Sequence, residues 1–230
     1  MAKKGETKGE KRLATSTVRN IKRKEKKWTI RAKPGKHTRK TSVPLGIVLR
    51  ELIGITQNAR ETRNVLQLGK VLIDGKKVKD QRQPIGLFDI ISLEGQKENY
   101  RMHYDKKGRL FTEKEKAEKT QTKIIRVKSK KIVKGKKISL STNDSRTIIT
   151  DNKDISVGDS LKITVPEQKI VSHIKMESGK KVLVTGGKHI GETAKIKEVK
   201  EGTIRIPKGI VLKGEEGVYQ TVAKNIFLIE

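Results

Sequence analysis

The first forty residues carry so much positive charge that they limit what this chain can fold into by itself. They contain 16 Lys and Arg residues against three acidic ones, Glu6, Glu10 and Glu25, which leaves a net +13. The whole chain of 230 residues has a formal net charge of +29. Like charges at this density repel one another in a compact fold and are best tolerated when a polyanion neutralises them. The charge therefore predicts a nucleic-acid partner, with a merely solvated surface as the alternative.

The basic segment itself, residues 1–42, shows no sustained period of 2 or 3.6. We therefore expect an arm that is disordered alone and ordered on its partner. Its single tryptophan, Trp28, follows two lysines, and its ring can either stack on a base or dock on the protein's own body. The residues leave both possibilities open. Pro34 and Gly35 then break the chain.

The composition predicts several small cores in place of one large core. Hydrophobic residues make up 33% of the chain and aromatic residues 3%, which is little for a single domain of this length. We expect four parts: the arm at 1–42, a domain at 43–106, a central β domain at 107–172, and a barrel with the C-terminal segment at 173–230.

The sequence predicts no catalytic site, metal or cofactor. Cysteine is absent, which excludes disulfides and thiol chemistry. The four histidines lack metal-ligand spacing, and there is no Gly-x-Ser-x-Gly motif. No apolar run approaches the roughly 18 residues of a membrane span, and the N-terminus lacks the apolar block of a secretory signal. We expect a soluble cytoplasmic protein that is not an enzyme and has neither a membrane partner nor a small-molecule substrate.

Two amphipathic helices are expected after the arm. The first is indicated by apolar residues at i, i+3, i+4, i+7 and i+8, namely Leu45, Val48, Leu49, Leu52 and Ile53. For the second helix, Asn58 and Glu61 form a candidate capping box, and Gly69 is placed to end it. Arg60, Arg63 and Asn64 fall on one outer stripe of this second helix. Guanidinium forks and an amide in that arrangement suit phosphate oxygens and base edges.

A hairpin and further strands should complete this domain. Asp74 and Gly75 stand between apolar flanks, which is a strong signal for a two-residue hairpin turn. Lys70, Lys76 and Lys77 on that hairpin can extend the basic patch. The stretch 84–93 predicts a turn into a buried strand, and Thr112 with Glu115 suggests another capping box for a short charged helix.

From residue 122 onward, short apolar runs alternate with turn residues, which favours small β-barrels over βαβ units. Residues 179–196 read as a strand, a Gly-rich loop and a second strand. This loop is not a nucleotide-binding loop, because the spacing of glycines is wrong and His189 stands where magnesium needs Ser or Thr. We expect it to turn a barrel strand and to present Lys188 and His189.

Together these segments resemble a known family, small-subunit ribosomal protein four of the archaeal and eukaryotic ("e") type. The resemblance spans nearly the whole chain. Residues 11–14 are similar to the family's opening, and residues 60–76 resemble the αL RNA-binding fold. Residues 84–92 are close to a family signature, and residues 181–196 are similar to a KOW motif with Gly191 at its key glycine. The chain departs from the family near Asn20, where another tryptophan is usual, and at residues 143–147.

The resemblance implies a mostly β, α+β protein: a basic arm, an αL domain of two helices with a hairpin and sheet, and small β-barrels including a KOW (SH3-like) barrel. It also implies a structural constituent of the small ribosomal subunit that binds ribosomal RNA directly, beside neighbouring ribosomal proteins in the cytoplasm. The residues that we expect at the RNA are Arg12, Arg19, Arg23, Lys24, Lys27, Trp28, Arg31, His37, Arg39, Arg60, Arg63, Asn64, Lys70, Lys76, Lys77, Arg146, Lys188 and His189.

Two other functions are weighed against this one. An RNA-modifying enzyme with an αL module, such as a pseudouridine synthase, needs a sizeable catalytic domain with an aspartate in a cleft. The region after residue 100 predicts short β units instead. A KOW-type transcription elongation factor lacks an αL domain, so residues 58–74 argue against it.

Overall fold

The computed structural model describes residues 7–96, 98–116, 121–203, 205–215 and 217–229. The chain divides into two compact units. One comprises residues 1–103 and 109–120, and the other comprises residues 104–108 and 121–230. Antiparallel strands dominate both units, so the predicted α+β, mostly β fold class is confirmed. No helix in the described ranges is long and apolar enough to cross a membrane.

The arm is folded from residue 7 onward, which differs from the disordered arm that the sequence suggested. Strand β1 (Gly9–Lys11) pairs with β2 (Trp28–Ile30), and 3₁₀ turns form at Arg12–Ala14 and Arg39–Thr41. Two buried arginines explain the difference, because each of them forms an ion pair with a glutamate of the same protein. Arg12 pairs with Glu51 and donates to the carbonyl of Lys22 at 2.6 Å. Residues 1–6 lie outside the described ranges.

Arg19 plays the corresponding role further along the arm. Its guanidinium pairs with Glu10 and donates from Nε to the carbonyl of Ser42 at 3.1 Å. Only 2% of Arg19 is exposed. Since these contacts join single side chains to carboxylates and carbonyls elsewhere in the chain, they leave no periodic pattern in the sequence.

The first helix that was expected after the arm is present but short. Strand β3 (Val43–Pro44) leads into α1 (Leu45–Ile47), which continues as a π-helical turn over Val48–Leu52. The amide of Ile53 donates to the carbonyl of Val48 at 2.9 Å, a bond across five residues. Leu45, Val48 and Leu49 are fully buried, whereas Leu52 and Ile53 are half-buried, so the first three positions of the predicted apolar stripe form core.

The second helix, α2, spans Ala59–Gln67 and buries Thr62 and Leu66. The predicted capping box is wrong in its detail. The Asn58 side chain makes no capping hydrogen bond to the described residues, while Glu61 Oε2 accepts from the amide of Gln57 at 2.8 Å. Gly69 follows the helix with φ of +72°, as its predicted role requires.

The predicted hairpin is confirmed. Strands β4 (Val71–Ile73) and β5 (Lys76–Lys77) are joined by Asp74 and Gly75, both of which have positive φ. Strand β6 (Pro84–Ile85) pairs with β3. The hairpin belongs to a five-stranded sheet of order β5-β4-β7-β8-β9, completed by β7 (Ile90–Leu93), β8 (Glu98–Tyr104) and β9 (Leu110–Lys116).

The helix expected from Thr112 and Glu115 is a strand. Both residues lie in β9, where Glu115 Oε2 accepts from Nε of the buried Arg101 on β8 at 2.8 Å. A buried guanidinium needs a carboxylate partner, and this requirement outweighs the local helix signal. Residues 117–120, where such a helix would continue, lie outside the described ranges.

The second unit holds two five-stranded antiparallel sheets, each around its own apolar cluster. The first has the order β12-β11-β10-β13-β14 and comprises β10 (Thr122–Ile132), β11 (Ile138–Thr142), β12 (Thr147–Thr150), β13 (Ser160–Thr164) and β14 (Ile170–Ile174). The long strand β10 pairs with β13 before a bulge at residues 127–129 and with β11 after it. A bulge bends its strand, and this one lets β10 serve both halves of the sheet.

The C-terminal sheet has the order β18-β17-β16-β15-β19. It comprises β15 (Lys181–Val184), β16 (Thr193–Lys200), β17 (Gly209–Lys213), β18 (Val218–Val222) and β19 (Ile226–Leu228). The loop between β15 and β16 contains Gly191 with φ of +87°. A Cβ there would come within 2.1 Å of the carbonyl oxygen of Asp105. Only glycine therefore fits at the position that the KOW resemblance singled out.

Candidate nucleic-acid interface

The outer face of α2 carries the basic stripe that the sequence predicted there. Arg60, Arg63 and Asn64 are exposed, since Thr62 and Leu66 turn the opposite face into the core. Three exposed lysines extend this surface on the adjoining hairpin, Lys70, Lys76 and Lys77. A Cβ at Gly69 would lie 3.6 Å from Cδ of Lys77, so the hairpin lies against the end of the helix. We call these six residues the α2–hairpin patch.

The predicted arm residues fall into two groups. Lys24, Lys27, Trp28 and Arg39 are exposed, while Arg23 and Arg31 are half-buried. Arg12, Arg19 and His37 turn inward. The His37 side chain is 6% exposed, and its Nε2 lies 2.9 Å from Oδ2 of the buried Asp89. Arg12 and His37 hold the arm to the residues behind it, through Glu51 and Asp89, and Arg19 ties segments of the arm to one another, through Glu10 and Ser42.

A cleft of about 490 Å³ opens between the arm and residues 50–82, within the first unit. Trp28 and Arg63 line it, so it adjoins the α2–hairpin patch. Arg50 also lines it, and burial lowers the pKa of its guanidinium, with Glu51 opposing this and Arg12 adding to it. We call this the arm cleft. Sequence reasoning missed it, because its walls come from separate segments around residues 8–30, 50–63 and 81–82.

Arg146 in the second unit belongs to a buried ion cluster. Asp144 accepts from Nε of Arg146 at 2.7 Å and from Nζ of Lys123 at 3.1 Å, and its side chain is fully buried. Burial raises the pKa of Asp144, but the charges of Lys123 and Arg146 and a hydrogen bond from Thr142 outweigh it and set the pKa below its usual value. The carboxylate is therefore ionised and ties β10 to the turn after β11.

The Gly-rich loop presents one of its two predicted residues. Lys188 is exposed. His189 instead stacks on Tyr219 with ring centroids 3.9 Å apart, and its Nδ1 lies 3.1 Å from Oε1 of Glu192. The histidine therefore fixes the shape of the loop that holds Lys188.

A row of three lysines crosses the C-terminal sheet, and the sequence analysis did not identify it. Lys181 on β15 pairs with Lys195 on β16, which in turn pairs with Lys213 on β17. All three are exposed and line a groove of about 380 Å³ together with Glu215. The lysines are visible in the sequence, but strand register, which sets them side by side, is not. We call them the lysine row.

No group of three or more His, Asp or Glu side chains that could hold a metal ion is found within the described ranges. Cationic patches on the α2–hairpin surface and on the C-terminal sheet, together with a folded basic arm, are features typical of nucleic-acid-binding proteins.

Comparison with known proteins identifies the family. The chain belongs to the ribosomal S4e family, whose model, described as Ribosomal family S4e, matches residues 96–170. The "Small ribosomal subunit protein eS4" of Methanocaldococcus jannaschii is 37% identical over 238 residues, covering 100% of this chain and 96% of the relative. That of Methanococcus vannielii is 36% identical with the same coverage.

A solved structure agrees. The crystal structure of the 30S ribosomal protein S4e from Thermoplasma acidophilum is 35% identical, with a TM-score of 0.70. The likeness covers 82% of this chain and 95% of that one. The predicted family is therefore confirmed.

Proposed function

We propose that this chain is a structural constituent of the small ribosomal subunit that binds ribosomal RNA directly, in the cytoplasm and beside other ribosomal proteins. One observation carries the proposal: relatives named small ribosomal subunit protein eS4 match the chain from end to end at 36–37% identity. The family is one of ribosomal proteins, which are structural, so we assign no enzymatic activity.

The exposed cations bind RNA from three regions of the chain: the α2–hairpin patch, the arm and the C-terminal sheet. The α2–hairpin patch grips folded RNA, with Arg60 and Arg63 on phosphates and the Asn64 amide on base edges or 2′-hydroxyls. Lys24, Lys27 and Arg39 neutralise phosphates along the arm, with Arg23 and Arg31 at its half-buried positions. Lys188 and the lysine row do so on the C-terminal sheet. Arg12, Arg19, His37, Arg146 and His189 act indirectly, because each one holds the element that presents the exposed groups.

The parts of the chain divide accordingly: an arm at 1–42, an αL domain at 43–106, a central β domain at 107–172 and a KOW-type barrel with the C-terminal segment at 173–230. The comparisons do not support an RNA-modifying enzyme or a transcription elongation factor. The relatives that match this chain over its full length are named as ribosomal proteins. The described residues after 120 form β-sheets with short turns.

Co-sedimentation tests the proposal directly. The full chain should follow small subunits through a high-salt wash. A chain that washes off, or that follows RNA polymerase, would contradict the proposal.

A paired substitution tests the α2–hairpin patch. Replacing Arg60 and Arg63 by Ala should weaken binding to small-subunit RNA and flatten the slope of log K against log salt by about 1.4 to 1.8, since each phosphate contact contributes roughly 0.7 to 0.9. Gln67→Ala, on the same exposed stripe but uncharged, is the matched control and should leave the slope unchanged. An unaltered slope in the Arg variant would mean that this face is only solvated.

A further inference from the structure

We propose that the arm cleft is a pocket for a single unstacked RNA nucleotide, whose base stacks on Trp28. The inference rests on the proposed function and adds which part of the RNA enters the protein. Three features carry it: an exposed indole, buried polar atoms without partners, and an excess of cations around the opening.

Trp28 is the only tryptophan in a chain with 3% aromatic residues, and its side chain is 58% exposed. Large aromatic side chains normally bury much of their surface. Here the pleat of β2 prevents this, because Thr29 turns inward and is 8% exposed while Trp28 turns outward. The pairing of Trp28 with Lys11 across β1 holds the strand in that register. The indole is thus presented at the cleft as a stacking surface.

Three buried polar atoms of the cleft residues lack hydrogen-bond partners among the described residues: Gln81 Oε1, Arg12 Nε and Thr29 Oγ1. Arg12 is 4% and Thr29 8% exposed, and all three residues line the cleft. Buried polar groups are almost always paired, so unpaired ones on residues that line a cleft are candidates to contact a ligand there. Gln81 Oε1 accepts, Arg12 Nε donates and the Thr29 hydroxyl can do either, which matches the mixed donors and acceptors on the edge of a base.

The charge around the cleft suits a phosphate. Lys8, Lys26, Arg63 and Arg82 line it with Glu25 and Glu51, and Glu51 already pairs with Arg12. The volume of about 490 Å³ lies within the roughly 300 to 1,000 Å³ of small-ligand sites. A paired base in a helix keeps its faces stacked, so the ligand is a nucleotide from a loop, bulge or single strand.

Because Trp28 is the sole tryptophan, the emission of the full chain reports on this site alone. We expect single-stranded hexamers of uridylate or adenylate to quench it. A duplex of the same length should bind, as followed by anisotropy of a labelled strand, without quenching. AMP or UMP alone should quench only at much higher concentration, since the α2–hairpin patch then adds no affinity. Binding of the hexamer without quenching, or equal quenching by the duplex, would overturn the proposal.

Substitutions give a second readout. Trp28→Ala should weaken hexamer binding about ten- to hundredfold, the range that loss of one stacked base produces. A hexamer containing 2-aminopurine should be quenched by the wild-type chain and stay bright with this variant. Leu13→Ala removes another exposed side chain of the arm, 68% exposed and not part of the cleft lining, and should behave as wild type. Gln81→Leu should weaken binding while Trp28 remains in place.

The outcomes separate this proposal from the ribosomal role. If Trp28→Ala matches Leu13→Ala in affinity and in 2-aminopurine emission, the pocket is wrong, whereas co-sedimentation with small subunits stands. If the wild-type chain fails to co-sediment, the ribosomal role fails, whatever Trp28 reports. Trp28→Ala and Leu13→Ala both change exposed side chains, so circular dichroism should show unaltered folds for these two variants.

Discussion

Replacing Lys195 of the lysine row by Thr should stabilise the free protein and weaken its binding to RNA. Lys195 lies directly between Lys181 and Lys213 on the neighbouring strands, so its charge faces a like charge on each side. Side chains in such cross-strand positions have Cβ atoms about 5 Å apart, and like charges directly opposite one another destabilise the sheet. A nucleic-acid phosphate placed over the row would reverse this, because it attracts all three lysines.

The magnitude follows from counting neighbours. A cross-strand pair is worth roughly 0.2 to 1 kcal/mol, and Lys195 takes part in two repulsive pairs. Threonine keeps a good strand-forming residue at the position. The free energy of unfolding of the free protein should therefore rise by about 0.5 to 2 kcal/mol at low salt. The gain should shrink above roughly 0.5 M salt, where charges are screened within a few ångströms. Binding to small-subunit RNA should lose one phosphate contact and flatten the salt slope by about 0.7 to 0.9.

Urea unfolding at low and high salt measures the first effect, and filter binding across a salt series measures the second. Lys162→Thr is the matched control, because this exposed lysine on β13 pairs with Ile124 and Ser172, which carry no charge. The reasoning is refuted if Lys195→Thr lowers stability at low salt, if its gain is insensitive to salt, or if the control shows the same gain.

Three further substitutions test the internal contacts. Gly86→Ala should cost about 1 to 3 kcal/mol in urea unfolding, because its Cβ would lie 2.5 Å from the His37 ring, and adding His37→Ala should recover part of that loss. Gly191→Ala should cost more, since it combines positive φ with a 2.1 Å clash against backbone that cannot yield, and a variant that melts as wild type would contradict this. Asp144→Asn should cost about 3 kcal/mol at pH 7 by leaving Lys123 buried without its counter-charge. Because the folded pKa of Asp144 lies below the unfolded one, its contribution is present above the unfolded pKa and disappears as pH falls through the folded pKa. Acid unfolding below about pH 4 should therefore be less steep in the Asn variant than in the wild type.

Local patterns predicted those elements whose cause is local. The Asp74–Gly75 turn and the α2 face with Arg60 and Arg63 depend on residues within one turn of chain, and the structure places both as expected. The order of the segments was enough to identify the family. The π-helical continuation of α1 was not predictable, because a stripe at i, i+3 and i+4 fits both kinds of turn.

The remaining features depend on partners far away in sequence. Glu115 lies in a strand because Arg101 needs it, and Arg12 turns inward because Glu51 receives it, 39 residues later. The lysine row depends on register, and the arm cleft on the packing of three segments. The sequence shows that a residue is positively charged but not whether its partner is a phosphate of RNA or a carboxylate of the protein. For this reason Arg12, Arg19 and Arg146 were predicted at the RNA, whereas each of them pairs with a carboxylate.

The folded arm has a kinetic consequence. A disordered basic tail must find its shape after it meets RNA, so the rate of docking includes a folding step and the ordering entropy opposes binding. Here the contacts of Arg12, Arg19 and His37 fix the backbone path of residues 12–37 before RNA binds. Lys24 and Lys27 are thus displayed on a pre-formed surface, so long-range attraction can act on encounter without delay. Association with RNA should accordingly be a single fast phase whose rate falls steeply with salt, and substitutions that release the arm should add a slow one.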